Sequence, residues 1–249
     1  MTTLERPATP DGLFLWVMHR FASLFDQHAI LRGGMALRLL DSPRSTTAID
    51  YVFVPYTSKR EVKDLIEEAM AGLVDASVEI SLHSKMIRAR VRVDDAQIQI
   101  EINVATQCPA IPMATGNFAR SLGKPSQVVA VMHFDTALAE KVAAWNERRL
   151  IRDLYDCYFL VGRLGTQLDL ERLDQRLSKI ESRVPSLRNR KQMTRRQLAK
   201  ELKEGLDSLE QEKVEDELRP LFPPEELPGL ALRIRASLSR IVEELEDEG

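Results

Sequence analysis

Asp50 and Glu101 are the residues of this chain whose surroundings best suit them to chemistry. Asp50 lies in Ile49-Asp50-Tyr51-Val52-Phe53-Val54, a run rich in β-branched and aromatic residues that stops at Pro55 and reads as a strand. Glu101 lies in Gln97-Ile98-Gln99-Ile100-Glu101-Ile102-Asn103, where a period of two puts the isoleucines on one face and Gln97, Gln99, Glu101 and Asn103 on the other. Carboxylates on the open face of a sheet are oxygen donors suited to a hard divalent cation such as magnesium. Gly33-Gly34 ends an apolar run and opens a helical one. Glycine lets the backbone approach a phosphate closely, and a helix N-terminus favours negative charge. A glycine pair alone is equally what a strand-to-helix turn needs for steric reasons. Taken together, these residues point to metal-assisted chemistry on a phosphate.

The elements that must position them fall into two regions. Phe14 to Phe25 has apolar residues at helical spacing, His28 to Arg32 is a short apolar strand, and Met35 to Leu40 resumes as a helix closed by Asp41-Ser42-Pro43. Lys59 to Leu73 is an amphipathic helix. Val78 to Leu82, Met86 to Val93 and Gln97 to Val104 alternate as antiparallel strands, with Asp94-Asp95 as a tight turn. Val128 to His133 is a further strand or extended link. From Asp135 onward the pattern is helical: Asp135 to Arg148, Ile151 to Arg163, Leu168 to Ile180, Thr194 to Glu215 and Leu227 to Leu245, with Asp135 and Thr194 as N-caps and prolines separating the later helices. We therefore expect an α/β (α+β) domain with a mixed, largely antiparallel sheet over residues 1–134, followed by an all-α region over 135–249.

The 249 residues, 44% of them hydrophobic, can bury one good core or two modest ones. No apolar run approaches the roughly 18 to 20 residues that span a bilayer, and no signal-peptide pattern opens the sequence, so a cytoplasmic location without membrane partners is the expectation. Two cysteines, Cys108 and Cys157, provide neither a disulfide framework nor a zinc site and read as buried thiols; the four histidines have no metal spacing. A net charge of −3 conceals segregation. Arg183, Arg188, Arg190, Lys191, Arg195, Arg196, Lys200 and Lys203 form a basic stretch, and Glu243, Glu244, Glu246, Asp247 and Glu248 an acidic tail. The basic stretch is either a solvated helix face or a phosphate-contacting surface for nucleic acid, to which Arg188, Arg190, Lys191, Arg195 and Arg196 would contribute.

Ala29 to Leu40 followed by Arg44-Ser45-Thr46-Thr47-Ala48-Ile49-Asp50-Tyr51 resembles the active-site signature of the polymerase-β-like nucleotidyltransferases. The likeness is greatest to the AbiEii-type (MenT-like) toxins of bacterial toxin–antitoxin and phage-defence systems. Their second segment runs Arg, any residue, Ser or Thr, any residue, Asp, an apolar residue, Asp. This chain matches at Arg44, Thr46, Ile49 and Asp50 and departs at Ala48. A second signature, Leu138 to Ala144 with Lys141 and then Arg152-Asp153-Leu154-Tyr155-Asp156, resembles the family's lysine helix and its Arg-Asp-x-x-Asp element.

The resemblance implies a nucleotidyltransferase toxin that uses Mg2+ (or Mn2+) and moves nucleotides from a nucleoside triphosphate to RNA, with the tRNA 3′ end as acceptor and translation as the process blocked. Asp50 and Glu101 would hold metal, and Gly33, Gly34, Arg44, Thr46, Lys141 and Arg152 would bind the nucleotide. Lys141 and Asp153 would join Asp50 as catalytic residues. Arg152, Asp153 and Asp156 could equally form a salt-bridge cluster within their helix. Ser45 and Thr46 could position phosphate or accept an inhibitory phosphate, or simply turn the chain into the strand. The implied partners are a nucleoside triphosphate, tRNA or another RNA, and a cognate antitoxin protein (AbiEi-like).

Position 48 shares the face of Asp50, one carboxylate of the implied site is missing there, and the chain is expected to be catalytically crippled without loss of fold. Either an active enzyme has been disabled by substitution or the chain is a natural pseudoenzyme; retention of Arg44, Thr46, Asp50, Glu101 and Lys141 favours the first. Transfer to a protein hydroxyl (AMPylation-like) and a catalytically dead nucleotide-binding regulator are the competing functions.

Overall fold

The computed structural model describes residues 6–182 and 184–247, so Arg183 of the basic stretch and Glu248 of the acidic tail lie outside the described residues. The chain divides into two compact units, Met1–His133 and Phe134–Gly249.

The first unit opens with α1 (Pro10–Phe25). Thr9 caps it by accepting from the Gly12 N–H, and Pro10 supplies a φ already set for a first helical turn. There follow β1 (Ala29–Arg32), α2 (Gly33–Arg38), β2 (Ala48–Phe53), α3 (Lys59–Met70), β3 (Ser77–Leu82), β4 (Ile87–Val93), β5 (Ala96–Val104), β6 (Ala110–Ala114), α4 (Gly116–Ser121) and β7 (Val128–Met132). Among the described residues the seven strands form one sheet in the order β3-β4-β5-β2-β1-β7-β6. Pairs β2–β5 and β1–β7 are parallel and the rest antiparallel, the mixed sheet that the alternation predicts. Asp94 takes a positive φ of 51° in the β4–β5 turn, as a tight hairpin requires.

One face of the sheet is packed. Ile49, Tyr51 and Phe53 of β2 and Ile98, Ile100 and Ile102 of β5 are buried, and the rings of Tyr51 and Phe53 meet Phe21 of α1 at centroid distances of 5.0 and 5.7 Å. Phe53 contributes about 1.5–3 kcal/mol by leaving water, a gain that Tyr51 offsets in part by burying a hydroxyl without a hydrogen-bond partner. Both rings are core packing. His19 is likewise interior, bonded to Thr115 Oγ1 at 3.0 Å, and burial pushes its pKa down.

Two elements were not legible. β6 contains Pro112, which argues against a strand, yet β6 pairs only with β7 at the sheet edge, where a missing N–H is tolerated. α4 is a single short helix anchored by Phe118 and Ala119.

The second unit is helical throughout its described residues: α5 (Phe134–Arg148), α6 (Ile151–Tyr158) continued by a π-turn at Phe159–Arg163, α7 (Leu170–Leu177), α8 (Arg195–Asp207), α9 (Gln211–Leu218) and α10 (Leu230–Asp247), with 3-10 turns at three prolines. Thr194 caps α8 in a reciprocal capping box with Gln197. The expected helix Thr194 to Glu215 is two helices, because the chain turns at Ser208–Glu210 so that Leu209, Val214 and Leu218 are all buried. Asp135 is not a cap: α5 begins at Phe134, and Asp135 lies inside the first turn, accepting from the Gln167 N–H. Of the two cysteines only Cys157 is buried; Cys108 is partly exposed. Among the described residues no helix is long and apolar enough to cross a membrane.

Candidate active site

In the first unit the parallel register of β2 and β5 sets Asp50 beside Glu101 and Ala48 beside Gln99. The antiparallel register of β1 and β2 sets Arg32 beside Asp50. Because partners in register share a face, Arg32, Asp50 and Glu101 form one polar row across three strands on the side opposite the core. Glu101 is held in place, its Oε1 accepting from Gln99 Nε2 at 2.6 Å and from Arg88 Nη2 at 3.1 Å, while 24% of its side chain stays exposed. Arg32 donates to Asn103 Oδ1 at 2.6 Å with the Asn103 amide oriented to suit it.

The glycine pair belongs to this row for a reason of space. Gly33 has φ +72°, in the left-handed region that favours glycine, and a Cβ there would stand 2.6 Å from Asp50 Oδ2. A Cβ on Gly34 would stand 2.2 Å from Arg44 Nη2. The turn therefore admits one carboxylate and one guanidinium against bare backbone. Arg44 is only 6% exposed and its Nη1 also reaches the Ser45 carbonyl. Thr46 Oγ1 donates to the Ala48 carbonyl at 2.9 Å and accepts from its N–H at 3.3 Å, so this hydroxyl shapes the entry into β2. Ser45 is exposed.

The donor set sets what a metal could find here. Magnesium commonly takes one or two protein carboxylates and completes its shell with water and substrate phosphates. Asp50 and Glu101 meet that for one ion. Ala48, on the same face, offers a methyl group, and no group of three or more His, Cys, Asp or Glu suited to a metal occurs among the described residues. The set fits one divalent ion and falls short of two.

The second unit holds a separate charged cluster. Lys141 Nζ on α5 lies 2.6 Å from Asp156 Oδ2 and 3.8 Å from Asp153 Oδ1, both on α6. The two aspartates are 0% and 1% exposed, Lys141 19%. Arg148 clamps Asp153 through three contacts of 2.7 to 3.2 Å. Burial first, and then the charges of Asp153 and Asp156, push the Cys157 thiol well up in pKa. Arg152 is not brought into the cluster: it is exposed, and its backbone N–H bonds Glu217. α6 turns Asp153 inward and Arg152 outward, so the arginine that meets Asp153 comes from the end of α5 instead.

In the basic stretch, Arg195 is committed to Asp174 at 2.6 and 2.8 Å, Arg190 lies 3.7 Å from Glu201 and Lys200 3.9 Å from Glu204. Arg188, Lys191, Arg196 and Lys203 are exposed. Sequence reasoning overlooked Arg32, Arg88 and Arg148; the first two were readable as polar-face residues of strands, but their partners depend on register.

Three comparisons bear on this arrangement. The family described as "Nucleotidyl transferase AbiEii toxin, Type IV TA system" matches residues 16–246. Among solved structures, MenT4, the nucleotidyltransferase toxin Rv2826c from Mycobacterium tuberculosis H37Rv, is similar with a TM-score of 0.59 at 14% identity, over 95% of this chain and 86% of that one. JHP933 from Helicobacter pylori is similar with a TM-score of 0.56 at 15% identity, over 96% and 93%. At such identities the two structures speak to fold. No curated protein matches.

Proposed function

Because the chain belongs to the AbiEii nucleotidyltransferase toxin family of toxin–antitoxin systems, we propose that it is built to transfer a nucleotide from a nucleoside triphosphate to RNA, with the tRNA 3′ end as acceptor, and that position 48 leaves it catalytically crippled. The observation that carries this reading is the pairing of Asp50 with Glu101 on the open face, beside a glycine turn that admits Asp50 and Arg44. In nucleotidyl transfer an acceptor hydroxyl attacks the α-phosphate and pyrophosphate leaves. A divalent ion, when bound, neutralises the charge that develops there. Asp50 and Glu101 would hold it, and the buried Arg44 would offer a fixed guanidinium to the phosphates. In the second unit the family's phosphate-binding lysine would be Lys141, whose ammonium lies 2.6 Å from Asp156 Oδ2. Family membership implies an antitoxin partner, for which an AbiEi-like protein is the expected form.

The test is incubation of the chain and of its Ala48→Asp variant with each labelled nucleoside triphosphate, magnesium and total tRNA. Label in tRNA with the variant supports the reading. Label only in protein would replace the acceptor by a protein hydroxyl. Binding of nucleotide with no transfer by either protein would leave a regulator, the reading in which Ala48 is the native residue.

A further inference from the structure

The sheet face that carries Asp50 and Glu101 continues across β4, where every second residue is arginine. Arg88 pairs in register with Glu101, Arg90 with Gln99 and Arg92 with Gln97. Ile87, Ala89, Val91 and Val93 between them are buried, so the three guanidinium groups leave β4 on the side opposite the core. Successive arginines on one face stand about 6.6–6.8 Å apart along the strand. Arg88 is tied to Glu101, whereas Arg92 is exposed and Arg90 is 59% exposed with Glu79 3.9 Å away. An ion pair that long and that open to water contributes little.

We propose that Arg88, Arg90 and Arg92 form the track for the sugar–phosphate backbone of the acceptor RNA, running from the carboxylates outward along β4, with Gln97 and Gln99 beside it as amide donors. The inference rests on nucleotidyl transfer to RNA and adds where the acceptor lies. An acceptor whose terminal hydroxyl reaches Asp50 and Glu101 must place its preceding phosphates within a few residues of them. On this face the row of cations begins at Glu101 itself. Arginine suits phosphodiester oxygens because its planar fork donates two hydrogen bonds at once. In the stretch from Arg188 to Lys203, by contrast, Arg195 is closely engaged by Asp174. Arg88 links the two functions, because the group that would bind the chain nearest the reacting end also holds Glu101.

Labelled total tRNA, titrated with the full-length chain over a salt series and followed by fluorescence anisotropy, tests this. Arg90→Glu with Arg92→Glu should weaken binding at least tenfold and reduce the slope of log affinity against log salt by roughly 1.4 to 1.8, two phosphate contacts at about 0.7 to 0.9 each. The paired change Arg196→Glu with Lys203→Glu should do less. Arg90→Gln with Arg92→Gln guards against misfolding and should show the same slope change, with the melting temperature and nucleoside triphosphate binding of the parent. Unchanged affinity and slope in the sheet variants overturn the track. If Ala48→Asp protein still labels tRNA in that case, the transferase reading stands without it; if the parent binds no tRNA at all, both fall. Equal competition by polyglutamate at matched charge would also overturn it, since the face would then be a general acid-binding surface.

Discussion

Asp50 on β2 and Glu101 on β5 are direct neighbours in a parallel strand pair, so two carboxylates from distant segments face the same side of the sheet. Position 48, the next residue along β2 on that face, lies beside Gln99, whose amide already holds Glu101. An acidic side chain at 48 would thus enter a row that has its neighbours in place.

Ala48→Asp is therefore expected to raise nucleotide transfer by about 100-fold or more, the scale on which removing one preorganised electrostatic contact to a transition state is felt. Label from a nucleoside triphosphate into tRNA measures it. Asp50→Asn in the Ala48→Asp background should return the rate to that of the present chain. A variant that melts as the parent does and transfers nothing would sink the idea that position 48 is a ligand position.

Gly33→Ala should damage fold and site together. Its φ of +72° costs a side chain about 1–2 kcal/mol, and the new methyl would displace the Asp50 carboxylate from 2.6 Å. At roughly 2–4 °C per kcal/mol for a chain of this size, a drop of several degrees in Tm is expected, with weakened magnesium binding by calorimetry. An unchanged magnesium isotherm would show that Asp50 has room to move.

How far the sequence revealed this site follows from the range of the forces involved. Which residues of β5 point outward is a local matter of alternation, and Glu101 was readable from its isoleucine neighbours. That Glu101 sits beside Asp50 was not readable from spacing and came only with the family resemblance, since α3, β3 and β4 intervene and the register is set by how all of them pack. The same holds for Lys141, which meets Asp156 only through the docking of α5 on α6. Arg152 does not join Asp153 in a cluster because adjacency in sequence is not adjacency on a helix, where successive side chains diverge.

Cys157 should make stability fall at alkaline pH. Its thiol stays protonated when folded, being buried beside Asp153 and Asp156, whereas in the unfolded chain it ionises near its ordinary value of 9.0. The unfolded state then binds fewer protons, so this contribution is fully present below about pH 8.5 and declines above it at up to about 1.4 kcal/mol per pH unit. Urea unfolding between about pH 8 and 9.5 measures the slope, and Cys157→Ala should flatten it relative to the parent. Equal slopes in the two proteins would exclude the thiol as the cause.

The pairing of Lys141 with Asp156 can be tested apart from the nucleotide contact proposed for Lys141. Lys141→Met takes the ammonium away from the fully buried Asp156, a loss of about 3–5 kcal/mol for a broken buried pair. Lost activity in that variant alone would say nothing about nucleotide binding. Lys141→Met with Asp156→Leu replaces the pair by apolar groups and should recover most of the stability. If Lys141 contacts the triphosphate, the double variant in the Ala48→Asp background should melt near the parent yet bind nucleoside triphosphate at least about tenfold more weakly, the loss of one charge-assisted contact. Recovery of stability and nucleotide affinity together would assign Lys141 to holding α5 against α6 and nothing more.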